Sequence, residues 1–342
     1  KFDLTREVSA EFLVSTKDKK YDFYIVKTPR ARVLLNPGGM RKFVNKLKLL
    51  NCDFAHIVGL QLEGYLSLKA CRKAHLKTVL AIHGSALEIE HLPFYKKWLY
   101  SHIEKFTIKH SNIAYGVSDY VSNWNVCKNS KNYYGTIYNL LPEIDFSESR
   151  KVVDRNKVRK TYNISDDDIV VVSTGRITKE KGYDILLETI KSLKENKKLK
   201  FLIVGDGNYK DEFQKHITDL RLNDSVFLVG YQKNVQKFLN ASDIFVICSK
   251  HETLCISLLE AACAKLPLIA TNVGGIPEIV INRETGLLVE KNDVILFANA
   301  INVLFCNKTL RRLLGENAYQ VLRIKINNIK IIEQIDNLYN LI

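Results

Sequence analysis

Two glutamates lie eight residues apart in the segment HETLCISLLEAACAK (251–265). If the whole segment is helical, Glu252 and Glu260 are separated by about 12 Å of rise and about 80° of rotation beyond two full turns. Both carboxylates can then contact one elongated ligand, one accepting ribose hydroxyls and the other sugar hydroxyls. The residues from Thr253 to Cys255 would offer backbone donors at the helix N-terminus. The alternative is an amphipathic helix with two exposed acids.

Two cations follow a buried, β-branched run in the segment GRITKEKG (175–182). Arg176 and Lys181 fall in the loop and first helical turn after this predicted strand. Positive side chains and free backbone N–H groups at such a position can hold a diphosphate. The alternative is a pair of solvated surface cations, which the residues alone leave open.

Three glycines mark the ends of predicted strands. Gly175, Gly205 and Gly230 stand where TGR, VGDG and VGY leave an apolar run. A glycine at this point lets the backbone approach a ligand and directs the following helix N-terminus toward phosphate. None belongs to a GxGxxG motif, so the dinucleotide fingerprint is absent. Ordinary strand-to-helix turns also use glycine.

The elements that must position these residues alternate between apolar runs and amphipathic segments, which predicts parallel sheets covered by helices on both faces. In the second half, strands are predicted at 169–175, 199–207, 225–230, 243–249, 266–271 and 286–290, with helices at 183–196 and 209–222. In the first half, strands are predicted at 10–16, 22–27, 54–59, 77–84 and 112–118, with helices at 40–51 and 66–75. The polar segment 143–160 is predicted to be a linker.

A length of 342 residues favours two domains. We expect an α/β protein with a Rossmann-like first lobe (1–150), a second lobe (151–325) and a C-terminal helix (326–342) that could pack back on the first lobe. Ligands of such sheets bind at the carboxyl ends of the strands. The expected architecture is therefore two facing Rossmann-like lobes with a ligand cleft between them.

The net charge of +14 is uneven, with +9 on residues 1–150 and +5 on the rest. Such a balance suits nucleic acid, an anionic membrane surface or a phosphorylated substrate.

No apolar run approaches the roughly 18–20 residues that span a bilayer. Seven scattered cysteines without metal spacing indicate reduced, mostly buried thiols in a cytoplasmic protein.

Several segments in the second half, in this order, resemble the donor-binding half of retaining glycosyltransferases of family 4, which have the GT-B fold. They are GRITKEKGYDILLETI, IVGDGNYKDEF, VFLVGYQ, ASDIFVICSKHETLCISLLEAACAKLPLIATNVGGIPEIV and TGLLV, over roughly 155–320. The resemblance implies that Arg176 and Lys181 hold the donor diphosphate, that Glu260 binds ribose and that Glu252 lies near the donor sugar. The donor-binding set implied in this way is Gly175, Arg176, Lys181, Gly205, Gly230, Tyr231, Glu252, Thr253, Leu254, Cys255 and Glu260.

The first half resembles the family less. KTVLAIHGS (77–85) looks like the family's strand ending in His-Gly, which implies that His83 faces the donor sugar and phosphates and acts in catalysis with Arg176, Lys181 and Glu252. The family's opening strand and Gly-rich loop are not recognisable in a chain that begins at Lys1, so we expect the first lobe to lack them.

The segment LPFYKKWLYSHIEKFTIKH (92–110) combines aromatic and basic residues. Trp98, Leu99, Ile103 and Phe106 could form one helical face, and four lysines lie nearby, at Lys96, Lys97, Lys105 and Lys109. This pattern is typical of an edge that meets an anionic membrane or a lipid-linked acceptor. The alternative is an ordinary helix packed on the core.

The resemblance implies a hexosyltransferase-type enzyme that moves a sugar, with retention, from a nucleotide diphosphate sugar (a UDP-sugar is favoured) to an acceptor hydroxyl. We expect the acceptor to be a glycan or lipid-linked glycan in bacterial surface polysaccharide, lipopolysaccharide or glycolipid assembly. No Asp-x-Asp sequence suggests a metal clamp, which predicts no cofactor and no metal. We expect a cytoplasmic enzyme, peripheral on the inner membrane face, with no nucleic-acid partner. The alternatives are a GT-B nucleotide-sugar epimerase and a basic nucleic-acid-binding protein.

Overall fold

The structure of the protein, a computed structural model, describes residues 26–88, 92–141 and 146–342. The chain divides into two compact units, one comprising Lys1–Leu140 and Ile326–Ile342 and the other comprising Leu141–Lys325. Each unit has its own parallel sheet and its own apolar core. The division falls after Leu140, whereas the sequence prediction places it at residue 150.

The sheet of the first unit has four parallel strands in the order β1-β2-β3-β4. They are β1 (Phe54–Val58), β2 (Lys77–Ile82), β3 (Ile113–Gly116) and β4 (Tyr133–Thr136). The first three were predicted and are confirmed, whereas β4 was missed because its sequence, YYGT, is short and not an apolar run. The strands predicted at 10–16 and 22–27 lie outside the described residues, apart from Val26 and Lys27, which have no regular secondary structure.

Six helices flank these strands within the described part of the first 140 residues. They are α1 (Ala31–Leu34), α2 (Pro37–Leu49), α3 (Leu62–Lys73), α4 (Phe94–His110), α5 (Asp119–Ser122) and α6 (Asn125–Lys128). Helix α2 begins where Asn36 accepts hydrogen bonds from the N–H groups of Gly38 and Gly39, with Pro37 at the first helical position. The helices predicted at 40–51 and 66–75 are α2 and α3, each starting three to four residues earlier than expected.

The second unit contains a six-stranded parallel sheet in the order β10-β9-β8-β5-β6-β7. Its strands are β5 (Ile169–Thr174), β6 (Leu199–Val204), β7 (Val226–Gly230), β8 (Ile244–Ile247), β9 (Leu268–Thr271) and β10 (Gly286–Val289). All six were predicted. The chain builds outward from β5 to β7 and then returns to β8 on the other side of β5. The loops that follow β5 and β8 therefore lie side by side at a topological switch point, where open α/β sheets bind ligands.

Helices cover this sheet as its continuous apolar strands require. They are α7 (Glu148–Thr161), α8 (Tyr183–Ser192), α9 (Lys210–Asp219), α10 (Gln236–Ala241), α11 (Ile256–Cys263), α12 (Val294–Cys306) and α13 (Lys308–Lys325). Side chains of α8, α9 and α12, among them Leu187, Phe213 and Phe297, join the strands in one buried cluster. In the described ranges, no helix of the chain is both long and apolar enough to cross a bilayer.

The last helix, α14 (Asn328–Asn340), belongs to the first unit. Its Tyr339 ring lies 4.8 Å from the ring of Phe54 in β1, and its hydroxyl lies 2.8 Å from Nδ1 of His56. Nε2 of His56 lies 3.2 Å from the hydroxyl of Tyr115 in β3. Burial lowers the pKa of His56 to about 4, and the proximity of His83 adds to this effect. The C-terminal segment is thus fixed to the sheet by a neutral imidazole.

The predicted linker at 143–160 is wrong, because α7 occupies most of it. Arg159 of this helix is buried, and its Nη2 lies 2.7 Å from Oδ2 of Asp243. The same carboxylate oxygen accepts a hydrogen bond from the N–H of Val170 at the start of β5. The charged residues that suggested a solvated linker therefore attach α7 to the sheet.

We predict that Arg159→Ala lowers the free energy of unfolding by about 2–4 kcal/mol, because it removes the guanidinium donor from the carbonyls of Ser165 and Asp168 and one of the two cations beside Asp243. Lys160→Ala is the matched control, since Lys160 is exposed on the same helix and its loss should change stability by less than about 0.5 kcal/mol. Urea unfolding followed by circular dichroism measures both. Equal stabilities for the two variants would contradict the role given to Arg159.

Candidate active site

The loops after β5 and β8 are in direct backbone contact. Gly182 has a φ of 71°, and a β-carbon there would lie 1.8 Å from the carbonyl oxygen of Cys248. The N–H of Lys250 donates a hydrogen bond of 3.0 Å to the carbonyl of Glu180. Only glycine permits this approach. The result is that side chains from both loops meet at the carboxyl edge of the sheet.

An ion pair joins these two loops. Nζ of Lys181 lies 2.6 Å from Oε1 of Glu252, and the hydroxyl of Ser249 donates to the same oxygen at 2.8 Å. Glu252 is buried, and the Lys181 side chain is 22% exposed. Both bonds end on Oε1, so Oε2 has no hydrogen-bond partner within the described ranges. The protein thus supplies hydrogen bonds to only one of the two carboxylate oxygens of Glu252.

Glu252 does not lie on the helix that carries Glu260, which corrects the sequence interpretation. Helix α11 begins at Ile256, and residues 252–255 form an extended turn before it. The turn is held by a second glycine contact, in which the N–H of Gly275 donates to the carbonyl of Glu252 at 3.0 Å. The free helix N-terminus accordingly starts three residues later than Thr253.

A cavity of about 420 Å³ opens at this edge, within the second unit. Seven of the predicted donor-site residues line it: Gly175, Arg176, Lys181, Glu252, Leu254, Cys255 and Glu260. Sequence reasoning missed nine others: Ser173, Thr174, Tyr183, Gln232, Lys233, Val235, Ile247, Ile256 and Ser257. Most of these end or follow strands already predicted to lead to the site. Gln232 and Lys233, for example, come directly after the VGY turn.

Four predicted residues are not in the cavity lining, namely Gly205, Gly230, Tyr231 and Thr253. Gly205 instead provides close backbone packing, because a β-carbon there would lie 1.8 Å from the carbonyl oxygen of Gly175. Its N–H donates to the carbonyl of Gly230 at 2.9 Å. These glycines align the ends of β5, β6 and β7. Tyr231 is 63% exposed beside them.

The charges that line the cavity favour an anion. Within the described residues, Arg176 and Lys233 have no hydrogen bond or ion pair, and Arg176 is exposed next to Gly175. The N-terminus of α11, at Ile256 and Ser257, adds backbone dipoles of the same sign. No group of three or more His, Cys, Asp or Glu side chains that could hold a metal occurs in the part of the chain that the structure describes.

Two titratable groups in the lining are held neutral. Burial, together with the neighbouring Glu252 carboxylate, raises the pKa of Cys255 to about 12. Burial also raises the pKa of Tyr183 well above its usual value. Neither the thiol nor the phenol carries charge near neutral pH. The ionic character of the cavity thus comes from its lysines, arginine and glutamates.

His83 belongs to the first unit and directly follows β2. Burial lowers the pKa of His83 to about 4, so its imidazole is neutral near pH 7. The loop that carries it is held by Glu104 of α4, which accepts hydrogen bonds from the Ser85 hydroxyl at 2.6 Å and the Ala86 N–H at 2.8 Å.

Residues 154–321 match the family model described as glycosyl transferases group 1. The segment 154–321, which makes up most of the second unit, therefore belongs to that family. The protein is a transferase with the GT-B fold, as the resemblance to family-4 glycosyltransferases implied.

Curated relatives and solved structures agree with this assignment. The chain is 26% identical to the N-acetyl-alpha-D-glucosaminyl L-malate synthase of Bacillus anthracis over 77% of its length and 68% of that protein. It is 27% identical to the UDP-Gal:alpha-D-GlcNAc-diphosphoundecaprenol alpha-1,3-galactosyltransferase of Escherichia coli, over 57% of its length and only 52% of that protein. The crystal structure of Anabaena Alr3699/HepE in complex with UDP and glucose has the same fold, with a TM-score of 0.76 and 19% identity over 89% of this chain and 81% of that one.

The shape of the cavity depends on the contact between Gly274 and Glu252. Gly274 has a φ of 56°, and a β-carbon there would lie 1.8 Å from the Glu252 carbonyl oxygen. We predict that Gly274→Ala lowers the melting temperature more than Gly230→Ala. Gly230 also has a positive φ, of 80°, but no atom within 4 Å of its would-be β-carbon, so alanine there costs only the roughly 1–3 kcal/mol of backbone strain. Differential scanning calorimetry measures both melting temperatures. Equal decreases in the two variants would show that the contact between Gly274 and Glu252 is unimportant.

Proposed function

We propose that the protein transfers a glycosyl group from a nucleoside diphosphate sugar, with UDP as the first candidate nucleotide, to an acceptor hydroxyl with retention of configuration. The observation that carries this proposal is the cavity that combines unpaired cations with two carboxylates at the switch point of the second sheet. Cations suit the diphosphate, and carboxylates suit ribose and sugar hydroxyls. The UDP and glucose bound by Alr3699/HepE and the UDP-Gal in the name of the Escherichia coli relative support the choice of donor.

In the proposed reaction, the bond between the anomeric carbon and the diphosphate breaks as the acceptor oxygen attacks from the same face. Negative charge develops on the departing diphosphate. Arg176, the Lys181 ammonium and the N-terminus of α11 would stabilise this charge, a task that other enzymes give to Mg²⁺. We therefore propose that transfer requires no metal. The acceptor proton leaves with the diphosphate or its bound water.

Glu260 is proposed to bind the ribose, and Oε2 of Glu252 is proposed to accept a hydroxyl of the donor sugar. Oε2 is suited to this because Oε1 already takes both bonds from the protein. His83 is proposed as a hydrogen-bonding contact to substrate, since a neutral imidazole can both donate and accept.

The names of relatives, which include a capsular polysaccharide glycosyltransferase of Staphylococcus aureus, support a role in bacterial surface polysaccharide or glycolipid assembly. We propose a glycan or lipid-linked glycan as the acceptor.

A series of uridine, UMP and UDP tests the donor site. Arg176→Ala should weaken UDP binding by about 10- to 150-fold, equivalent to a charge-assisted bond of roughly 1.5–3 kcal/mol, and leave uridine binding unchanged. Glu260→Ala should weaken all three ligands by a similar factor, because all contain ribose. Isothermal titration calorimetry with and without EDTA measures these affinities. If Arg176→Ala weakens uridine as much as UDP, the assignment of the diphosphate is wrong.

Helix α4 supports the proposal that the protein associates peripherally with an anionic membrane. The structure corrects the predicted apolar face, because Ile103 is buried and Phe106 packs 5.5 Å from the Tyr65 ring. The exposed apolar residues instead lie in the first two turns. They are Phe94 (83% exposed), Tyr95 (65%), Trp98 (59%) and Leu99 (47%).

The charge on the exposed surface of α4 is entirely positive. Lys96, Lys97, Lys105 and Lys109 are exposed, whereas its one acid, Glu104, is buried. Aromatic side chains enter the headgroup region, and each nearby lysine contributes about 1 kcal/mol of attraction to anionic lipid.

Replacing Lys96, Lys97, Lys105 and Lys109 by Gln should abolish most binding to anionic liposomes in a flotation assay and leave UDP affinity unchanged. The matched control replaces four exposed lysines of the second unit, Lys160, Lys194, Lys197 and Lys198, and removes the same charge. Binding of the unaltered protein should fade as salt approaches roughly 0.5 M. If both quadruple variants lose binding equally, α4 is not the membrane-binding surface.

A further inference from the structure

A second ion pair joins the segments that follow β5 and β8. In this pair the cation follows β8 and the carboxylate follows β5, the reverse of the Lys181–Glu252 pair. Nζ of Lys250 lies 2.6 Å from Oδ2 of Asp184, which stands in the first turn of α8. The segment from β5 into α8 thus gives Lys181 and Asp184, and the loop after β8 gives Glu252 and Lys250. Each segment supplies one cation and one carboxylate, so the two pairs join the segments at two points.

Only the first of these pairs touches the cavity. Lys181 and Glu252 line it, whereas Lys250 and Asp184 do not. Lys250 is two residues from Glu252, and its own N–H is bonded to the carbonyl of Glu180, which immediately precedes Lys181. A displacement of Lys250 would therefore be transmitted to both partners of the Lys181–Glu252 pair.

The Asp184 carboxylate depends on Lys250. Within the described part of the chain, its Oδ1 is buried and has no hydrogen-bond partner, and its Oδ2 accepts a hydrogen bond from the Lys250 ammonium. The Asp184 side chain is 30% exposed, but its Oδ1 is shielded from water, so the Lys250 ammonium offsets part of the cost of its charge. Loss of the Lys250 ammonium would leave Asp184 to seek water and would loosen the junction between the loops.

We propose that Lys250 is a positioning residue of the donor site, which with Asp184 fixes the turn at 249–252 so that Glu252 holds the Lys181 ammonium at the cavity. A preorganised ammonium binds phosphate without a further cost of ordering its side chain. The effect on donor binding rests on the proposed function, whereas the effect on Lys181 itself does not.

The test compares Lys250→Met, Asp184→Asn, their double variant and Lys250→Arg in the full chain. Lys179→Met is the control, because Lys179 lies in the same loop but pairs with Glu212 at 3.1 Å, on the exposed surface and away from the cavity. The first readout needs no ligand: competitive acylation of lysines, followed by mass spectrometry, reports how far the Lys181 amine is protected. The second is the dissociation constant of UDP, and melting temperatures confirm that each variant is folded.

We expect Lys250→Met to raise the acylation rate of Lys181 severalfold and to weaken UDP binding about tenfold. Lys250→Arg should restore both, Asp184→Asn should resemble Lys250→Met, and the double variant should be no worse than either single one. Lys179→Met should change neither readout. Folded Lys250→Met with Lys181 protected as before would overturn the proposal, even if its melting temperature falls. If Lys181 becomes exposed as expected but the unaltered protein binds no UDP, the positioning role stands and the proposed donor is wrong.

Discussion

The ion pair between Lys181 and Glu252 is the contact on which the proposed donor site depends, and it exists because two loops approach each other to backbone contact. Gly182 lies against the Cys248 carbonyl, and Gly274 lies against the Glu252 carbonyl, each where a β-carbon would be 1.8 Å from an oxygen. That approach requires β5 and β8 to be neighbours, which follows from the order of strands in the second sheet. Strand order, two glycines and one ion pair thus form a chain of causes.

Much of this arrangement could be predicted from the sequence, because continuous apolar runs identify parallel strands and the ends of those strands identify the binding edge. The position of Glu252 outside helix α11 could not be predicted. Leu254, Leu258 and Leu259 continue a helical pattern back toward Glu252, but the chain there is held by Gly275 about twenty residues later. A contact of that range leaves no trace in local periodicity.

The remaining errors have a common physical origin, which is that burial of polar groups and exposure of apolar ones depend on distant partners. The segment 143–160 has the composition of a linker, yet Arg159 is only 3% exposed. Its burial is possible because its guanidinium forms an ion pair with Asp243. In α4 the pattern of aromatic residues does not distinguish Phe106, which packs on Tyr65, from Trp98, which is 59% exposed. Composition indicated the helix and its charge correctly but not which of its turns faces solvent.

A half-satisfied ion pair also selects the kind of ligand that the cavity can take. A simple anion would gain from Arg176 and Lys233 but would leave Oε2 of Glu252 without a donor and would meet its negative charge. A neutral sugar would satisfy Oε2 of Glu252 and leave both free cations without a partner. A ligand with phosphates at one end and hydroxyls at the other pairs with the cations and with Oε2 of Glu252 at the same time. It does so without separating Lys181 from Glu252, because the ammonium has three protons and donates only one of them to Oε1. The charge arrangement therefore supports the proposed phosphorylated sugar donor before any contact with base or acceptor is considered.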